Sequence, residues 1–149
     1  MAVALTLAAM GMMPTLHAQG LQEPDVIDTI IGAEVQEEEM EAAADIDRVI
    51  KAIELTANNI SMVRKTTVLD KVDIIFLTDS TAAEGGPPAA IAKKLEEYKV
   101  EIVQLRQELE SNAMLFHAID SRQILPADVL AVEFDNHDVL VYSAGKSTN

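Results

Sequence analysis

The chain has 149 residues, a net charge of −14, 49% hydrophobic residues and no cysteine. This length fits one domain, and so apolar a composition excludes a disordered chain. The charge disfavours nucleic acid and anionic lipid as partners, since both present phosphates to a negative field. Without cysteine there are no disulfides, thiolate nucleophiles or cysteine-ligated zinc sites.

The segment Met1–Met13 is apolar and uncharged, Pro14 follows it, and Ala18 precedes Gln19. This resembles the apolar core and cleavage region of a secretory signal peptide, with residues 1–18 removed. No Lys or Arg precedes the run and Leu16 is larger than usual at its position; a start upstream of Met1 accounts for the first departure. The run is short of the ~20 residues that span a bilayer. The expected product is therefore periplasmic or secreted, with no stable membrane span after cleavage.

Residues 19–44 read as an acidic arm leading into a helix start. From Glu23 to Asp47 there are ten acidic residues and no basic one. Glu37-Glu38-Glu39-Met40-Glu41-Ala42-Ala43-Ala44 consists of good helix formers, and its carboxylates suit a helix N-terminus. Such a strip also suits docking of a basic partner.

A single domain is expected over residues 45–144, followed by a polar tail, 145–149. The spacing of Ile46, Val49, Ile53, Ile60 and Val63 predicts a helix from Asp45 to Arg64, widened by Ile50 and Ala57 and weakened at Thr56 and Asn58-Asn59. Val72–Leu77 is rich in β-branched residues and reads as a central strand. A loop, Thr78–Pro88, leads into a second helix, Ala89–Glu110, with proline suited to its first position. There Ile91, Leu95, Tyr98, Ile102, Leu105 and Leu109 form a heptad seam. Ser111-Asn112 offers a cap and corner. Ala113–Gln123 reads as a short helix, with a buried strand as the alternative. Val129–Phe134 and Val139–Tyr142, joined by Asp135-Asn136-His137-Asp138, form a hairpin. The expected fold is α+β: two long amphipathic helices and a short one, packed on one face of a small sheet of about three strands that ends in the hairpin.

The chemistry-bearing residues form no recognisable motif. A catalytic zinc site usually needs three protein ligands, and His117, His137 and Asp135 would have to be gathered by folding; His17 leaves with the leader. No calcium-loop pattern occurs, and Asp135–Asp138 is explained by turn geometry. Gly85-Gly86 lacks the phosphate-loop pattern, and Pro87 and Pro88 remove amide donors. Ser80, Thr81 and Ser121 have no nucleophile-elbow context. No catalytic, metal or cofactor residue is assigned.

The expectation is a non-enzymatic protein-interaction module, binding an unknown protein or pairing with itself as a homodimer through the seam. The alternatives are a small-ligand or metal-ion binder, with Tyr98, His117 and Tyr142 lining a pocket, and an enzyme without a recognisable motif.

Overall fold

Along the most apolar strand, Val72, Ile74 and Phe76 alternate with Asp73, Ile75 and Leu77, so both faces of the sheet must be covered for most of its length. The computed structural model describes residues 32–41, 45–78 and 87–144. The leader, the Gly85-Gly86 loop with Ser80 and Thr81, and the polar tail lie outside the described residues.

The described elements run β1 (Glu34–Glu41), α1 (Ile46–Glu54), α2 (Thr56–Lys65), β2 (Lys71–Thr78), α3 (Ala89–Glu97), α4 (Lys99–Ser111), α5 (Ala113–Asp120), β3 (Val129–Asp135) and β4 (Asp138–Ser143), with a short 3-10 turn at Pro126–Asp128. The sheet has four strands in the order β1-β2-β4-β3. β1 and β4 run parallel to β2, and β3 closes antiparallel on β4. The fold is α+β with a terminal hairpin, as the sequence predicts.

The fourth strand is β1, formed where the sequence predicts a helix start. Val35 stands opposite Val72 and is buried, whereas Glu37 stands opposite Ile74. The glutamates favour a helix locally, but the parallel ladder along β2 overrides that preference, as tertiary context commonly does in strands. β1 is an edge strand, and charge on an edge discourages pairing between copies. Arg122 Nη2 donates to the Val35 carbonyl at 2.8 Å, and Arg122 Nε lies 3.7 Å from Glu37.

Both long helices are broken, at Leu55 and at Tyr98. The Leu55 break falls where Thr56 and the asparagines weaken the periodicity. The two broken rods lie side by side and run parallel. Lys94 pairs with Glu54 at 2.7 Å, and Arg64 Nε with Glu108 at 3.2 Å. Asn112 Nδ2 donates to the carbonyls of Val63 and Thr66 at 2.8 and 2.9 Å. Its Oδ1 accepts from the backbone N–H of Met114 and Leu115, capping α5. One side chain thus ends α2 and starts α5.

Helices cover both faces rather than the single face expected. One core unites Ile60 and Val63 of α2, Leu105 and Leu109 of α4 and Leu115 and Ile119 of α5 with Val72, Ile74, Val132 and Val141. The other packs Val49, Ala52 and Ile53 of α1 and Ile91 of α3 on Ile75, Leu77, Ala131 and Tyr142. The crossing is made beside the β3 edge, where Asn59 donates to the Val132 carbonyl at 2.6 Å and Arg106 to the Val129 carbonyl at 3.0 Å. Asn58-Asn59, a weak spot in the helix, therefore supplies a donor to the sheet edge.

Candidate functional site

On the face carrying α1, side chains fall into rows set by the register. The row at the hairpin end is Glu34, Lys71, Asp138 and Asp135; the next is Gln36, Asp73, Leu140 and Glu133. Above them Ile75, Tyr142 and Ala131 form an apolar row, and there α1 and α3 pack. The helices follow the apolar rows and leave the polar ones uncovered.

The uncovered end forms a cleft of about 310 Å³. Ile75 and Leu140 are its apolar floor, and Asp73, Glu133, Asp135 and Asp138 surround it with carboxylates. Asp135 and Asp138 stand directly opposite each other where the hairpin turns, an unfavourable like-charged pair. The turn uses Asn136 at φ 54°, a left-handed conformation that Asn tolerates.

Two cations lie among these acids. Lys71 Nζ is 2.8 Å from Asp73 Oδ1. Arg48, from the first turn of α1, reaches across to Glu133 and places both Nε and Nη2 on one oxygen, Oε2, at 3.1 and 3.0 Å. That hydrogen bond raises the Arg48 pKa. A second concavity of about 310 Å³ on the α1–β3 flank shares Arg48, Glu133 and Phe134 with the cleft, so the two adjoin at the Arg48–Glu133 bridge.

Behind the bridge lies Tyr142, the largest fully buried side chain. Its hydroxyl has no hydrogen bond of normal geometry, although Glu133 and Arg48 are close. Burial foremost, then the Glu133 charge, pushes its pKa well above the usual tyrosine value.

The residues singled out in the sequence are dispersed. Ile91, Ile102, Leu105 and Leu109 are buried in the chain's own core, and Leu95 and Tyr98 pack against it. α1 and α2 of the same chain pack on this seam. Tyr98 and Tyr142 join the same core, but Tyr98 lies beneath Lys94, whose Nζ is 5.5 Å from its ring centroid. His117 is exposed on α5, which packs on the opposite face. The three do not line one pocket. His137 is paired with Asp70 at 3.2 Å on the surface, away from His117. Ser121 donates to the Ala118 carbonyl at 2.9 Å, a helix-end contact.

Among the described residues no group of three or more His, Asp or Glu is placed to hold a metal ion. None of their helices is long and apolar enough to cross a membrane. Sequence reasoning missed Asp73, Arg48 and Glu133 as a set, because they come from β2, α1 and β3. The legible signal was a charge interrupting each of two apolar strands at the same row, Asp73 in VDIIFL and Glu133 in VLAVEF.

No protein-family model, curated protein or solved structure matches the chain.

Proposed function

We propose that the protein is an exported, non-enzymatic interaction module that docks a basic segment of a partner protein in the cleft at the hairpin end of its sheet. The observation that carries this reading is the uncovered part of the sheet face, where carboxylates from β2, β3 and β4 surround an apolar floor. Such a surface offers aliphatic contact to the stems of lysine or arginine and charge to their heads. The net charge of −14 extends the same field over the molecule and would speed encounter with a cationic partner. Export rests on the resemblance of residues 1–18 to a signal peptide, and places the partner in the periplasm or outside the cell.

The test is calorimetric titration of the 19–149 chain with an acetylated octalysine peptide. The expected result is binding that weakens with added salt. Asp73→Asn and Asp138→Asn should each weaken it about two- to five-fold, the range of a partly exposed charge pair. Absence of binding at low salt, or an affinity unchanged from wild type in both variants, defeats the proposal. A second reading, a small-ligand site, is favoured by the cleft volume, which falls at the lower end of the ~300–1,000 Å³ of ligand pockets. Binding of a small amine as tight as that of the peptide would select it.

A further inference from the structure

Glu133 has unused hydrogen-bonding capacity. Both Arg48 donors go to Oε2, and among the described residues no hydrogen bond of normal geometry reaches Oε1. A carboxylate can accept on both oxygens, and a guanidinium binds it best as a two-pronged fork. The Arg48 contact falls short of that geometry. Arg48 is also half exposed, whereas Glu133 is about a quarter exposed, so the arginine can leave without opening the core. Beside Glu133, the fully buried Tyr142 carries a hydroxyl without a hydrogen bond of normal geometry. A buried donor held in poor geometry is costly, and Glu133 is the charged acceptor within its reach.

These facts describe one carboxylate with a weakly held donor, Arg48, and a second, Tyr142, within reach. Resting on the reading of the cleft as a docking site, we infer that a guanidinium of the partner segment takes Glu133 from Arg48, and that the Tyr142 hydroxyl then closes to a hydrogen bond of normal geometry on the same carboxylate. Arg48 acts as an internal competitor that occupies Glu133 until the partner arrives. Its departure also frees space where the cleft adjoins the concavity on the α1–β3 flank, since both are lined by Arg48 and Glu133. The partner is a segment with several cations rather than a single amine. The row at the hairpin end sets carboxylates on both sides of Lys71, from Glu34 on β1 to Asp138 and Asp135 on β4 and β3, three strand spacings of ~4.8 Å or about 14 Å in all. Lysine would satisfy the charge, but only arginine offers the planar fork that displaces another arginine.

The experiment is calorimetric titration of the 19–149 chain with acetyl-tetra-arginine amide, acetyl-tetra-lysine amide and argininamide, on the wild type, Arg48→Met and Tyr142→Phe. Tetra-arginine should bind more tightly than tetra-lysine, with argininamide weakest. Arg48→Met should tighten tetra-arginine about five-fold, because the competing surface ion pair no longer has to be broken, and Tyr142→Phe should weaken it by a similar factor. Arg48→Gln provides a second removal of the competitor with a polar side chain. Tetra-arginine binding left unchanged or weakened by both Arg48 variants overturns the exchange while leaving the docking site in place. No binding of either tetrapeptide overturns both.

Discussion

Asn112→Ala should destabilise the protein more than any other substitution of a partly exposed polar residue among those described. The Asn112 side chain accepts from two backbone N–H groups at the start of α5 and donates to two carbonyls at the end of α2. Loss of a helix N-cap costs about 1 kcal/mol. Each of the two donor bonds contributes roughly 1 kcal/mol net. The sum is about 3 kcal/mol. At roughly 4 °C per kcal/mol for a chain of this size, the Tm should fall by about 12 °C. Asn112→Asp separates the two roles: it keeps the capping acceptor and turns a carboxylate on the Val63 and Thr66 carbonyls. Urea unfolding followed by circular dichroism at 222 nm measures both variants. A loss below about 1 kcal/mol in Asn112→Ala, or an Asn112→Asp variant as stable as wild type, would refute the claim that this side chain ties α2 to α5.

Leu105→Ala and Leu109→Ala should each cost about 2–5 kcal/mol, the range for deleting a fully buried leucine. Because the seam is filled from within the chain, the wild-type unfolding midpoint should not change with protein concentration; a rise with concentration would show that the seam joins copies. Tyr142→Phe should leave stability at pH 7 unchanged or slightly raised, since it removes a buried hydroxyl without a hydrogen bond of normal geometry. The Tyr142 pKa is raised in the fold, chiefly by burial. The neutral ring's contribution is therefore complete below the unfolded value of about 10 and declines as the pH rises beyond it. Urea midpoints from pH 8 to 11.5 should fall more steeply in wild type than in Tyr142→Phe, and parallel curves would contradict this. Glu108, hydrogen-bonded by Arg64, has its carboxyl pKa lowered. Its contribution is present above the unfolded glutamate pKa and lost as pH falls through the lowered folded value. Carbon-detected NMR should show it titrating below an ordinary glutamate in wild type and moving upward in Arg64→Met.

The elements built from local signals were readable in the sequence. Val72–Leu77 falls within β2, and the hairpin matches β3 and β4 closely, because β-branched runs bounded by turn residues act locally. Asn112 was readable as a cap, and the residues after it as a short helix. β1 was not readable, because glutamate-rich residues favour a helix until a neighbouring strand supplies hydrogen bonds, and β2 follows only after two intervening helices. The Tyr98 break was hidden by an uninterrupted heptad pattern. The seam itself was correctly identified as apolar, but periodicity does not say whether a helix of the same chain or of another covers it. The cleft was unreadable for a topological reason. Arg48 and Glu133 lie 85 positions apart, and only the placement of β4 between β2 and β3 brings Asp73 and Glu133 into one row.

The claim that the cleft receives a cationic segment is tested most directly by backbone amide NMR of the 19–149 chain titrated with acetyl-tetra-arginine amide. The account predicts saturable shift changes concentrated at Asp73, Ile75, Glu133–Leu140 and the first turn of α1, with the outer surfaces of α4 and α5 unmoved. Small, unsaturating shifts spread evenly over acidic positions, including Glu96, Glu110 and Asp120, would contradict it.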